Sequence, residues 1–166
     1  KKIEELRKEG NSCGGIIECV IQGLPAGLGE PVFDKADALL AQAIMSIGAI
    51  KGIEFGSGFN AALLTGKENN DQMRGDGRQV VFESNNAGGI LGGMTRGDDV
   101  IFRAAVKPVP SIFLKQETVD TSRSNCDILI EGRHDICLCP RIVPVIEAMA
   151  AITIADLCLR NKASRL

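Results

Sequence analysis

The apolar positions of this chain fall into runs of two lengths, and their periods separate strands from helices. Cys13 to Gly23 holds I-I-E-C-V-I, a short β-branched run that predicts a strand. A long helix is expected to open at Phe33 or Asp34, with Asp34 as its N-cap and Asp37 in its first turn. Leu39, Leu40, Ala43, Ile44, Ile47 and Ile50 recur along it at helical spacing, while small or apolar residues occupy nearly every other face. Such a helix is expected to be buried on more than one side. Pro140 to Arg160 predicts a second helix of the same kind, with Pro144 in its first turns, where proline is tolerated.

Shorter elements fill the remainder. Strands are expected at Gly52–Gly56, Gln79–Glu83, Asp99–Val106 and Cys126–Ile130, and a brief helix at Phe59–Leu64. Leu24 to Pro31 is turn chemistry, and Thr118 to Asn125 is a polar connection. Residues 1–11 are the tail of a preceding helix, ended by Gly10-Asn11. Residues 12–160 form the main unit, with 65–79 as a mobile polar loop and 161–166 as a polar tail. Two helices late among several strands predict an α+β fold, with helices layered on antiparallel sheet.

Composition narrows the function classes. A 166-residue chain with 45% hydrophobic and 24% charged residues is sized and composed to bury one core. A net charge of −2, with no Trp or Tyr, supplies neither the basic field nor the stacking platforms of a nucleic-acid binder. No apolar run is read as long enough to cross a bilayer. The six cysteines lack C-x-x-C spacing and sit mostly in apolar runs, so buried free thiols are expected over disulfides or a metal centre. The chain starts Lys1-Lys2-Ile3 without methionine and reads as part of something longer.

Candidate chemistry concentrates in three places. Ser84 to Gly97 (S-N-N-A-G-G-I-L-G-G-M-T-R-G) has five glycines in fourteen residues. It can be a wide turn, or a backbone surface whose uncovered N–H groups meet an anion or a polar ring. It is neither a Walker loop nor a clean Rossmann fingerprint. Arg133-His134-Asp135 gathers a cation, an imidazole and a carboxylate in apolar surroundings; it is either a capping cluster or an anion clamp with a proton acceptor. If extended, it would turn Arg133 and Asp135 to one face and His134 to the other. Lys107 precedes Pro108-Val109-Pro110-Ser111, where the prolines stiffen the chain and delete two donors.

Three segments together closely resemble chorismate synthase: S-N-N-A-G-G-I-L-G-G (84–93), G-L-P-A-G-L-G-E-P-V-F-D-K-A-D-A-L-L-A (23–41) and G-R-H-D-I-C-L-C-P-R-I-V-P-V-I-E-A-M (132–149). Their order and separation match, over about Ser12 to Leu159, with the C-terminal half of the family's chains. The resemblance implies a β-α-β sandwich, with helices packed between antiparallel sheets, in a cytoplasmic homotetramer. It implies elimination of phosphate from 5-enolpyruvylshikimate 3-phosphate with reduced FMN as cofactor, without net redox change. Whether an intrinsic NADP-linked reductase would supply that flavin is left open.

Carried over position by position, the resemblance implies flavin contacts at Gly48, Ala49, Gly92, Lys107, Pro108, Val109, Pro110, Ser111 and Arg133. Asp135 matches the aspartate near flavin N5 that assists loss of the substrate's C6 proton. The sequence departs from the family at Gly48, usually Asn, at Met94-Thr95-Arg96, often Ile-Ser-[Asn/Ser], and at Ile136, usually Pro. The family's two catalytic histidines and its phosphate-binding arginines belong to the other half, and His134 is neither histidine. Two readings follow: the incomplete half of a lyase, inactive alone, or a structural and oligomerising half that binds flavin weakly or not at all.

Overall fold

The structure, a computed structural model, describes residues 1–75, 77 and 80–164. Its centre is a three-stranded antiparallel sheet of β1 (Gly15–Ile21), β2 (Ile50–Phe55) and β7 (Val100–Val106), with β7 in the middle. Along β7 the side chains alternate. Val100, Phe102, Ala104 and Val106 are buried, and Ile101, Arg103 and Ala105 turn to the other face. The register sets Ile17 opposite Ala104, and Ile53 opposite Ala104 from the other edge, so one face becomes continuous and apolar.

Helices α2 (Ala36–Met45) and α4 (Cys139–Ala163) cover that face. Ala36, Leu40 and Ile44 of α2 meet Ile142, Ile146, Ala150, Ile154 and Leu157 of α4 over the sheet. Their steps of three and four residues make a single buried stripe on each helix. The expectation of burial on several sides is therefore corrected: Val145, Ile152 and Leu159 of α4 and Met45 of α2 are exposed. α4 is also long and apolar enough, by length and composition, to cross a membrane, which corrects the absence of any such run. In this fold its stripe is the core.

The α+β class and the helices on antiparallel sheet hold, and the order of elements follows the sequence reading closely. α1 (Lys2–Lys8), a 3₁₀ turn (Gly58–Leu63) and β9 (Asn125–Ile128) fall where a helix, a brief helix and a strand were expected. Several boundaries moved. Asp34 is not the cap of α2: Lys35 holds that position, the Ala36 N–H donates to the Gly93 carbonyl at 2.8 Å, and Asp34 instead pairs with Arg160. Pro144 sits in the second turn of α4, within the first turns as expected. Gln116–Val119 is β8, pairing with β9 where a connection was expected.

The segment read as a mobile loop carries structure where it is described. α3 (Gly66–Asn69) starts with a capping box in which Thr65 and Glu68 exchange hydrogen bonds. β3 (Met73–Gly75) then pairs with β4 (Val80–Phe82), and after it β5 (Ile90–Leu91) pairs with β6 (Met94–Thr95). Residues 76, 78 and 79 of that loop lie outside the described residues, as do 165 and 166 of the expected tail, whose residues 161–163 are the last turn of α4.

Candidate functional site

Most of the expected contact residues converge at the Val106 end of β7. The Lys107 N–H donates to the Ala49 carbonyl at 2.9 Å, which joins the segment after β7 to the turn after α2. Ala49 has φ 71°, a left-handed conformation that an L-residue holds only when its surroundings fix it. The Ser12 hydroxyl donates to the Val109 carbonyl at 2.6 Å. A Cβ on Gly14 would lie 2.2 Å from the Val106 carbonyl oxygen, so only glycine lets the chain before β1 pass this close.

The same stretch brings in the titratable cluster. The Cys13 N–H donates to the Ile136 carbonyl at 2.8 Å, and Cys13 and Cys137 form a parallel bridge. Residues 133–136 are thus tied to the chain that leads into β1. Arg133, His134, Asp135 and Ile136 line a cleft of about 400 Å³ with Arg7 and Phe113. The segment is not a strand, so the expected alternation fails: Arg133, His134 and Asp135 all border one cleft.

Within it the Asp135 carboxylate forms an ion pair with Arg141 at 3.0 Å. The His134 ring lies 5.8 Å from that of Phe113, and its Nε2 is buried without a hydrogen-bond partner among the described residues. Lys107 and Arg133 carry no salt bridge among the described residues, which leaves two cations available to an anion at this end of the sheet.

Free thiols lie beneath this cluster. Burial pushes the Cys13 and Cys139 thiols up, and hydrogen bonds with Cys137 push both further. A Cβ on Gly15 would come within 2.7 Å of the Cys139 sulfur, so glycine at the start of β1 admits that side chain. All six cysteines are free thiols; Cys126 is exposed and the other five are half-buried.

The glycine stretch belongs to the opposite end. The Ile101 N–H donates to the Gly88 carbonyl at 3.2 Å, beside the start of β7, and Gly93 caps the start of α2. Seven strand residues at ~3.4 Å each, or ten helical residues at ~1.5 Å each, set it roughly 15–24 Å from Lys107. Gly92 is therefore not brought together with the other expected contacts within the chain.

Most of these glycines are packing positions. A Cβ on Gly88 would stand 2.4 Å from the Gly56 nitrogen, and one on Gly89 2.4 Å from the Asp99 carbonyl oxygen. Gly92 differs: at φ 62° it has nothing within 4 Å of its absent Cβ, and Gly48 is also open.

The loop's shape rests on Asp71, which the sequence reading left inside a polar excursion. Its carboxylate accepts from Ser84 Oγ at 2.6 Å, from the N–H of Asn86 at 2.7 Å and of Ala87 at 3.0 Å, and from Arg96 Nη1 at 2.7 Å. Burial pushes this carboxyl up, but the Ser84, Ala87, Asn86 and Arg96 donors together outweigh burial and hold it at about 2. Thr95 serves the other side of the loop. Its hydroxyl donates to the Pro25 carbonyl at 2.6 Å and accepts from the Leu28 N–H at 3.0 Å. No spacing rule marks Asp71, because its partners lie 13 to 25 residues away.

Comparison with known proteins agrees with the resemblance. Residues 1–159 match the family described as chorismate synthase. The chain is 57% identical over 162 residues to the chorismate synthase of Maridesulfovibrio salexigens, covering 98% of this chain and 45% of that protein. It is 55% identical to that of Methanosarcina mazei, over 97% of this chain and 44% of that protein. A solved structure titled "Crystal Structure of Chorismate Synthase" superposes with a TM-score of 0.78 at 34% identity, over 96% of this chain and 41% of that one. The chain thus spans a little under half the length of the relatives it matches.

Proposed function

This chain belongs to the chorismate synthase family, and we propose that it supplies the flavin-facing side of that enzyme's active site. The reaction proposed for the whole protein is the 1,4-anti-elimination of phosphate from 5-enolpyruvylshikimate 3-phosphate. It yields chorismate in the shikimate pathway of aromatic amino acid biosynthesis, in a cytoplasmic homotetramer. Reduced FMN, when bound, supplies transient electron density to the substrate, with no net redox change.

The residues present fit such a group. Gly48 leaves open space where a Cβ would stand, the Ala49 backbone is held in an unusual conformation, and Pro108 and Pro110 offer a rigid edge without N–H groups. Lys107 and Arg133 would hold anionic oxygens, Arg133 through a planar fork suited to phosphate or a ring edge. Asp135, oriented by Arg141 at 3.0 Å, would assist loss of the substrate's C6 proton. Packing by the rest of the protein would exclude water from the cleft beside Phe113 and His134.

The observation that carries this reading is the convergence of Gly48–Ala49, Lys107–Ser111 and Arg133–Asp135 at one end of the sheet, in a chain whose residues 1–159 match the family. The chain by itself is expected to be inactive, because the family's histidines and phosphate-binding arginines are not among its residues. Mixing the chain with 5-enolpyruvylshikimate 3-phosphate and photoreduced FMN, and following chorismate absorbance, tests this. Robust turnover by the chain alone would overturn it.

A further inference from the structure

We infer that Asp71 is a positioning residue, one that closes the base of the glycine loop and thereby presents the open backbone at Gly92 to a flavin held at the Lys107–Arg133 end of a neighbouring copy of the chain in the proposed tetramer. The part concerning flavin rests on the function proposed above. Asp71 grips both feet of the loop at once. Ser84, Asn86 and Ala87 of the segment entering the loop and Arg96 of the segment leaving it all donate to its one carboxylate.

Arg96 completes the staple. Its Nη2 reaches the Ser84 carbonyl at 3.1 Å, Asn85 Oδ1 at 3.0 Å and Asp98 at 3.0 Å, and its guanidinium lies 3.9 Å from the Phe82 ring centre. Asn85 Oδ1 in turn accepts the Gly89 N–H at 2.6 Å. A segment with so little side-chain mass has no packing of its own to choose one conformation. Fixing its two feet to one buried charge removes that freedom before any ligand arrives, which lowers the cost of ordering on binding.

What remains outside the staple is the tip. Ile90, Gly93 and Thr95 point inward and are buried, whereas Leu91, Gly92 and Met94 are exposed. An open glycine flanked by two apolar side chains suits the face of a flat heteroaromatic ring.

The test compares the wild-type 166-residue chain with Asp71→Asn, which keeps shape but removes charge, and Asp71→Glu, which keeps the charge for Arg96. Amide hydrogen exchange of residues 86–93, flavin fluorescence quenching by titration with FMN, and thermal melting are measured on each. Asp71→Asn is expected to speed exchange at 86–93 at least tenfold, while the amides of Leu40–Ile44 stay at wild-type rates. Its FMN dissociation constant is expected to rise about tenfold at a temperature where it is fully folded, with partial recovery in Asp71→Glu.

Wild-type exchange at 86–93 in Asp71→Asn would overturn the staple. Faster exchange with unchanged FMN affinity would overturn its role toward flavin. If the wild type binds no FMN, the flavin reading and Asp71's part in it both fail, and the exchange result decides the staple alone.

Discussion

The Arg96 guanidinium donates to the Asp71 carboxylate at 2.7 Å, with only 7% and 5% of the two side chains exposed. A pair this buried contributes little beyond what a well-packed apolar pair would, but losing one partner strands the other charge. Removing either side chain alone is therefore expected to cost about 3 kcal/mol. Asp71→Ala and Arg96→Ala should each lower the unfolding free energy from urea melts by that amount, and the double variant should lose less than the sum. Additive losses would mean that the two side chains act independently.

The same carboxylate sets an acid dependence. Its value of about 2 lies below the ordinary 3.8, so the folded state favours the charged form. A depressed carboxylate contributes stability that is full above the unfolded value and is lost as pH falls through the folded value. The stability gap between wild type and Asp71→Asn should stay level above pH ~5 and shrink by about 2 kcal/mol between pH ~4 and ~2. Urea melts across this range measure it; parallel acid profiles would contradict the assignment.

Lys107 and Arg133, without a salt bridge among the described residues, stand at the end of the sheet where the anionic parts of FMN are proposed to bind. Charge-assisted hydrogen bonds of this kind are worth ~1.5–3 kcal/mol, so Lys107→Ala and Arg133→Ala should each weaken FMN binding at least tenfold. Flavin fluorescence titration reads this out. Unchanged weak binding in both variants would favour a non-catalytic, structural role for the chain.

Apolar surface on the uncovered sides of the core predicts self-association. Ile16 and Val20 on the outer face of β1 are 69% and 47% exposed, and Ile152 and Leu159 of α4 are 63% and 66% exposed. Patches of this kind mark sites that another surface covers. Sedimentation velocity at micromolar concentration should show dimers or larger species, and Ile152→Glu combined with Leu159→Glu should reduce them. A clean monomer for the wild type would refute this.

The sequence carried the parts of this structure that depend on local periodicity. The strand at Gly15–Ile21, the central strand at Val100–Val106 and both long helices lie close to where their apolar spacing puts them. The parts it hid depend on contacts between distant segments. The start of α2 is fixed by a carbonyl from Gly93, 57 residues further on, and that partner displaces Asp34 from the cap. Asp71 reads as one polar residue among many until the fold lays Ser84 and Arg96 against it.

The site was legible in the same proportion. Motifs single out Lys107, Arg133 and Asp135 as candidates, but only the geometry shows that Gly92 lies at the other end of the sheet from them. Likewise Arg141, the partner of Asp135, sat unremarked in a helix whose apolar residues drew attention.

One measurement bears most directly on the claim that this chain forms the flavin-facing side of a chorismate synthase site. A chimera would join this chain to the complementary part of the Maridesulfovibrio salexigens relative, which is 57% identical across the exchanged region. With 5-enolpyruvylshikimate 3-phosphate and photoreduced FMN, it should form chorismate. Asp135→Asn in the same chimera should slow the reaction at least a hundredfold, the lower range for a general acid–base group, without loss of folding. A folded chimera without turnover, or an Asp135→Asn chimera at the unsubstituted rate, would contradict the account.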